Sequence, residues 1–312
     1  MLRMLAKIAV GIIAVVVGLL VAGNLFFPDR VAELAADAER RSAGLVRKEV
    51  DVGQFHIAYL EGGQGDPLVL VHGFGADKDN WTRVAKYLTP HYRVIAPDLP
   101  GFGESSKPEN LSYSFDAQVE YLHAIATGLG LSKVALGGNS MGGCIAALYG
   151  AKYPDEVQSL WLVAPACVST ARTSEFGKML TNGGGNPLLA RTPEDFDRTV
   201  HFVMSDPPFI PGSIKRVLAS RAAANYPLHT RIFAELLASN SALEPRVTGL
   251  PIPTRVLWGD QDRALDVSGA EILGRLMPKA SVTVLPGIGH LPMIEQPRKA
   301  AEDYLRFRAN AI

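Results

Sequence analysis

Little in this chain of 312 residues points to a stapled, strongly charged or repetitive protein. Cysteine occurs only twice, at Cys144 and Cys167, too few for a disulfide framework, and a chain this long does not need one. The pair reads as small buried residues rather than reactive or paired thiols, with a single bridge left open. Lysine plus arginine and aspartate plus glutamate number 31 each, so the formal net charge is zero. Nothing in that balance invites nucleic acid or electrostatic capture by an anionic surface. No internal repeat, low-complexity tract, metal-ligand spacing or nucleotide cradle stands out. Gly62-Gly-Gln-Gly65 precedes a strand instead of joining a strand to a helix, so it is a poor phosphate loop.

What is present is apolar material. Hydrophobic residues make up 47% of the chain and charged ones 20%, which describes a globular protein with ample core. Hydrophobicity peaks at the N-terminus, where Ile8 to Gly23 is uninterrupted and Leu25-Phe26-Phe27 extends the run to Pro28. About 20 residues of helix, at ~1.5 Å each, cross the ~30 Å hydrocarbon core of a bilayer. A cleaved secretory signal, with release to the periplasm or exterior, is the competing reading, because Val21-Ala22-Gly23 offers small residues. The run is long for a signal core, and Phe26-Phe27 suits an interfacial position, so a single-pass anchor over residues 1–28 is favoured. Arg3 and Lys7 precede it while Asp29 and Arg30 cancel after it, which favours a cytoplasmic N-terminus. Val31–Arg41 reads as a short surface helix within a linker over residues 29–44.

From about residue 45, β-branched runs alternate with helical patterns. Gln54–Leu60, Leu68–Val71, Arg93–Ala96, Lys133–Leu136, Ser159–Ala164, Thr254–Leu257 and Ser281–Leu285 read as strands. Asn80–Leu88, Phe115–Leu129, Met141–Tyr153, Val267–Leu276 and Pro297–Arg308 read as helices. Such alternation implies a mostly parallel, twisted sheet flanked by helices, with its site beyond the carboxyl ends of the strands. Residues 45–166 and 251–312 form this α/β core. Residues 167–250 break the pattern and read as an inserted helical lid, since a structureless loop of that length is improbable in a compact domain.

The strongest chemical signal is Gly138-Asn-Ser-Met-Gly142. It matches G-x-S-x-G between a strand and a helix, the setting in which a serine is held on a tight turn with its hydroxyl exposed. A serine needs a base, and the base follows the nucleophile in chain order in this arrangement. That leaves His201, His229 and His290; the first two fall within the insertion, and His290 follows the last strand through Pro286-Gly-Ile-Gly289. The loop after Thr254–Leu257 offers Asp260 and Asp262 as the acid orienting that base. Asp262, further past the strand end, is favoured, and Asp260 is left to tie the turn. His72-Gly-Phe-Gly75 follows a strand and places the backbone N–H of Phe74, together with that of Met141, as oxyanion donors. His72 is then a structural residue. His72 and Asp77 also fit an H-x₄-D pattern seen in some acyltransferases, a loose match that the oxyanion reading already absorbs.

These segments, with Pro97-Asp-Leu-Pro-Gly-Phe-Gly103, resemble the α/β-hydrolase superfamily. Trp258-Gly-Asp-Gln-Asp-Arg-Ala-Leu-Asp-Val-Ser-Gly-Ala270 and Glu295-Gln-Pro-Arg-Lys299 are similar to its membrane-anchored monoacylglycerol lipase branch and to related bacterial lipases. The resemblance implies a serine hydrolase without cofactor, cleaving monoacylglycerols or similar lipid esters, with Ser140, Asp262 and His290 at the triad positions. Carbon–carbon bond hydrolysis with the same triad is the alternative within enzymes, and a non-catalytic receptor or scaffold is the alternative outside them. Phe176, Met179, Phe202, Met204, Phe209 and Ile210 of the lid either bind acyl chains or pack the lid onto the core.

Overall fold

The computed structural model describes residue 23, residues 26–239 and residues 241–311. The expected membrane span over residues 1–28 therefore lies almost wholly outside the described residues. Among the described residues no helix is long and apolar enough to cross a membrane.

Eight strands form one sheet in the order β1-β2-β4-β3-β5-β6-β7-β8. They are β1 (Leu45–Val52), β2 (Phe55–Gly62), β3 (Pro67–Val71), β4 (Arg93–Pro97), β5 (Val134–Asn139), β6 (Val157–Val163), β7 (Thr254–Gly259) and β8 (Ala280–Leu285). β1 and β2 pair antiparallel, as do β2 and β4; every pairing from β4 to β8 is parallel. This is the mostly parallel sheet expected from the alternation, in the α/β-hydrolase architecture that the resemblance implies. β1 escaped the sequence reading because only its end residues are buried; Arg47, Lys48, Glu49 and Asp51 cover an outer strand with charge. Such charge discourages edge-to-edge pairing, and it also erases the apolar signature of a strand.

The central strands are buried on both faces, and their alternate residues feed two cores. Val69, Val71, Ile95, Leu136 and Leu162 face one cluster with Val119, Leu122 and Ile145. Those last three come from α3 (Phe115–Gly128) and α4 (Met141–Lys152). Leu68, Leu70, Val94, Ala96 and Val163 face the other. There Val84 and Leu88 of α2 (Thr82–Leu88) and Tyr304 of the C-terminal helix pack beneath Trp161. Trp161 stacks on Tyr304 with ring centroids 4.6 Å apart. Full burial of a large apolar side chain stabilises by roughly 1.5–3 kcal/mol, so these central positions dominate the fold's stability.

Two segments cover the carboxyl end of the sheet. α1 (Pro28–Ser42) is docked rather than free: buried Arg40 donates to Asp79 from Nε at 2.7 Å and to Asp37 at 2.9 Å. Between β6 and β7 the chain forms α5 (Glu175–Thr181), α6 (Pro193–Val203), α7 (Gly212–Ala238) and α8 (Glu244–Val247). Thr192 and Asp195 close a capping box at the start of α6, with Pro193 at its first turn. α1 packs against α7. The remaining helices are α9 (Ser268–Leu276), α10 (Pro292–Glu295) and α11 (Pro297–Ala311).

One expectation is corrected. Cys144 and Cys167, 23 positions apart in sequence, form a disulfide with their Cα atoms 5.8 Å apart. α4 and the first turn beyond β6 both meet at the carboxyl end of adjacent parallel strands, which brings the two thiols together. The bridge fastens the start of the insertion to the helix that follows Ser140.

Candidate active site

Ser140 joins β5 to α4 with φ 55° and ψ −117°, outside the regions open to ordinary residues. Its neighbours hold it there. The Ser140 N–H donates to the Val163 carbonyl at 3.1 Å, and its own carbonyl accepts from Cys144 and Ala166 at 3.0 and 2.9 Å. The glycines are required by space: a Cβ on Gly142 would lie 2.2 Å from the Val71 carbonyl oxygen, and one on Gly138 2.1 Å from that of Gly142. Ala164 and Cys167 also adopt positive φ, so the strained backbone gathers at the carboxyl ends of the adjacent strands β5 and β6.

The loops after β7 and β8 bring Asp262 and His290 together. His290 Nδ1 lies 2.7 Å from Asp262 Oδ2. A carboxylate only accepts, so Nδ1 carries the proton and Nε2 keeps its lone pair. Asp262 has no exposed side-chain surface. Its oxygens also accept from three further donors at 2.9 Å: Trp258 Nε1 on Oδ2, and the N–H groups of Ala264 and Leu265 on Oδ1. Asp260 is exposed and instead accepts from the Gly287 N–H at 2.7 Å, fastening the loop that leads to His290. The His290 backbone is held as well. Its N–H donates to the Val203 carbonyl at 2.8 Å, and its carbonyl accepts from Asn139 Nδ2 at 3.2 Å.

The His72–Gly75 loop passes against Ser140: a Cβ on Gly73 would stand 3.3 Å from Ser140 Cβ. Among the described residues, the backbone N–H groups of Phe74 and Met141 have no protein acceptor. His72 is fully buried and fixed, with Nδ1 donating to the Gly73 carbonyl at 2.8 Å and Nε2 accepting from the Leu99 N–H at 3.1 Å. Burial pushes its pKa down to about 4, so it is neutral near pH 7 and serves as a brace. Asp77 caps the turn after it, accepting from the Asp79 N–H at 2.9 Å. Both residues of the H-x₄-D pattern thus have structural employment.

Ser140 and His290 open onto a cavity of about 560 Å³. Of the six apolar insertion residues singled out by sequence, Met204, Phe209 and Ile210 line it. Phe176 and Phe202 instead pack on each other, with centroids 6.4 Å apart. The sequence reading missed the larger wall. Ile214, Leu218, Ala222, Tyr226 and His229 line the cavity from α7. Their spacing of three or four residues is that of one helical face, a signal available in the sequence. Ala35 and Glu39 of α1 also line it. Among the described residues no cluster of His, Cys, Asp or Glu is arranged to hold a metal ion.

Residues 66–297 match the family described as the alpha/beta hydrolase fold. The chain is 42% identical over 248 residues to Lipase 3 of Moraxella sp. (strain TA144), covering 78% of each chain. It is 29% identical to human monoacylglycerol lipase ABHD6 across 97% of this chain and 94% of that one. A crystal structure described as a membrane phospholipase A, a novel bacterial virulence factor, superposes with a TM-score of 0.90 at 42% identity. That match covers 98% of this chain and 99% of the other. This chain belongs to the α/β-hydrolase family.

Proposed function

We propose that the chain is a lipase or esterase that cleaves carboxylic esters of lipids, monoacylglycerols among them, through an acyl-enzyme on Ser140. Ser140 Oγ attacks the ester carbonyl as His290 Nε2 takes its proton. Asp262 holds the imidazole in the required tautomer and stabilises the imidazolium. The N–H groups of Phe74 and Met141 receive the oxyanion. On collapse the acyl–oxygen bond breaks, His290 returns the proton to the departing alkoxide, and the acyl group stays on Ser140. Water, deprotonated by His290, then releases the fatty acid and restores the serine. The observation that carries this reading is the strained Ser140 opening onto the same cavity as a histidine hydrogen-bonded to a buried carboxylate. The chemistry asks nothing of a metal or cofactor.

Residues 167–250 act as a lid over the acyl-binding cavity, whose apolar α7 face suits an alkyl chain. Residues 1–28 anchor the enzyme in a membrane, and exposed Phe26 and Phe27 sit where that segment meets the folded domain. Ser140→Ala is expected to abolish hydrolysis of monoacylglycerols and short p-nitrophenyl esters and labelling by a fluorophosphonate. Substantial remaining ester activity would discard the mechanism. Wild-type protein that is not labelled would favour a receptor or scaffold. Cleavage of aryl dienoates in preference to esters would favour carbon–carbon hydrolysis.

A further inference from the structure

A set of buried charges takes no part in the proposed mechanism. Lys78 is 1% exposed, Asp98 is fully buried, and Arg40 of α1 is 8% exposed. They surround the loop from His72 to Asp79, which carries the Phe74 N–H offered to the oxyanion. Asp98 and Leu99 are neighbours just beyond β4, and between them they grip both ends of that loop. At its start, the Leu99 N–H donates to His72 Nε2 at 3.1 Å. Towards its end, Lys78 donates twice to the Asp98 carboxylate, from its backbone N–H at 2.7 Å and from Nζ at 2.9 Å. Within the loop the Ala76 N–H reaches the Gly73 carbonyl at 3.3 Å, a long bond. The grips at the two ends therefore set where Phe74 stands.

Arg40 enters from outside this loop. Its guanidinium takes both oxygens of Asp79, from Nε at 2.7 Å and from Nη2 at 2.5 Å. Such a fork fixes direction as well as distance. Asp79 adjoins Lys78, and its Oδ2 lies 4.0 Å from the Lys78 ammonium. Among the described residues, Lys78 is the other cation beside Asp79. A partly buried carboxylate stripped of its partner is costly. Without Arg40, Asp79 would compete with Asp98 for Lys78 and loosen the far grip on the loop.

We infer that Arg40 is a positioning residue for catalysis: by occupying Asp79 it leaves Lys78 to Asp98, and so holds the Phe74 N–H where the oxyanion forms. α1 is then a working part of the active site as well as the connection to residues 1–28. The inference rests on the ester-hydrolase reading and deepens it.

The test uses the full chain in detergent with p-nitrophenyl butyrate, a short ester that makes little use of the α1 wall of the cavity. Rates are taken per site titrated with a fluorophosphonate, so unfolded protein is not counted. Arg40→Met should lower kcat by about ten- to hundredfold, the order expected when an oxyanion donor is displaced, with KM changed by less than about twofold. A trifluoromethyl ketone, which Ser140 converts to a bound oxyanion, should lose affinity by the same factor. Arg40→Lys keeps the charge but not the fork, so it should show a smaller loss of the same kind, and it serves alone if Arg40→Met does not fold. Removing the competing anion as well, in Arg40→Met with Asp79→Asn, should return kcat to within about threefold of wild type. As a control, Arg255→Met breaks another largely buried ion pair, with Asp303 near the amino end of β7, and should lower the melting temperature with kcat unchanged. Wild-type kcat and inhibitor affinity in Arg40→Met, or a loss that the double variant leaves unrepaired, overturns the assignment while the hydrolase reading stands. Wild-type enzyme inactive on esters overturns that reading itself, and the assignment with it.

Discussion

The two regions that meet at the cavity are built on opposite principles. At the carboxyl ends of β5, β7 and β8, position is fixed by polar contacts: Ser140 by backbone bonds to Val163, Cys144 and Ala166, Asp262 by four donors, His72 by one bond at each nitrogen. The insertion between β6 and β7 presents an apolar helical face, and its Phe209 is 87% exposed. Hydrogen bonds are directional and fix atoms to within tenths of an ångström, as bond-making chemistry requires. Apolar contact is non-directional and tolerates ligands of varied length. Chemistry and substrate choice are therefore separable, and substitutions can break one while leaving the other.

The largest effect belongs to the polar region. Asp262→Asn keeps the shape but removes the acceptor that selects the His290 tautomer, so kcat should fall by about 10⁴-fold. Thermal unfolding should come a few degrees earlier, because donors are left facing an amide nitrogen, while the relative rates on short and long esters should change little. A matching loss of chain-length preference would show that the two regions are not separable.

The disulfide joins the regions, so it is the next place to probe the comparison. Its loop of about 23 residues is worth about 3 kcal/mol by chain entropy. Cys144→Ser with Cys167→Ser should lower the denaturation midpoint accordingly, and reductant should no longer shift it. Because Ala166, one residue before Cys167, also bonds to the Ser140 carbonyl, activity at low temperature should persist.

Titration separates the regions in another way. His72 has its pKa lowered to about 4 in the folded state against an ordinary value of 6.5. Between those values the unfolded chain binds a proton that the folded chain refuses, so stability is intact above about pH 6.5 and declines as pH falls towards 4. The loss is on the order of 3 kcal/mol for that residue. His72→Gln should be less stable at pH 7 and should flatten the pH dependence of the denaturation midpoint. An equally steep slope in the variant would assign it elsewhere, with His229 the next group to replace.

The same contrast decides what was legible in the sequence. Strands β3 to β7 announce themselves because burial on both faces demands continuous apolar runs, whereas β1 hides behind Arg47, Lys48, Glu49 and Asp51. Ser140, Asp262 and His290 could be nominated because each must follow a strand end, and strand ends are local features. The pairing of Cys144 with Cys167 was not legible, since it depends on two adjacent strands delivering their next residues to one place. His229 was passed over as the base because it falls within the insertion. Its place on the cavity wall is a tertiary property, even though its helical spacing from Ile214 and Leu218 was in plain view.

The smallest expected effect lies at Glu295, where the regions are fastened by one carboxylate. Its oxygens accept from the Ser205 and Asp206 N–H groups of the insertion at 2.8 and 3.0 Å, and from Gly289, beside His290, at 3.0 Å. Bonds to a charged acceptor are stronger than neutral ones, and an amide nitrogen in place of one oxygen cannot accept at all. Glu295→Gln should therefore cost about 1–2 kcal/mol and lower the melting temperature by about 2–6 °C. Hydrogen exchange should quicken at Ser205 and Asp206 first, since these donors lie just beyond the end of α6. If the carboxylate transmits the position of the insertion to the histidine loop, kcat on long-chain esters will fall several-fold while short esters change less. Faster exchange with unchanged kinetics would mean that the bond from the His290 N–H to Val203 suffices to hold the loop.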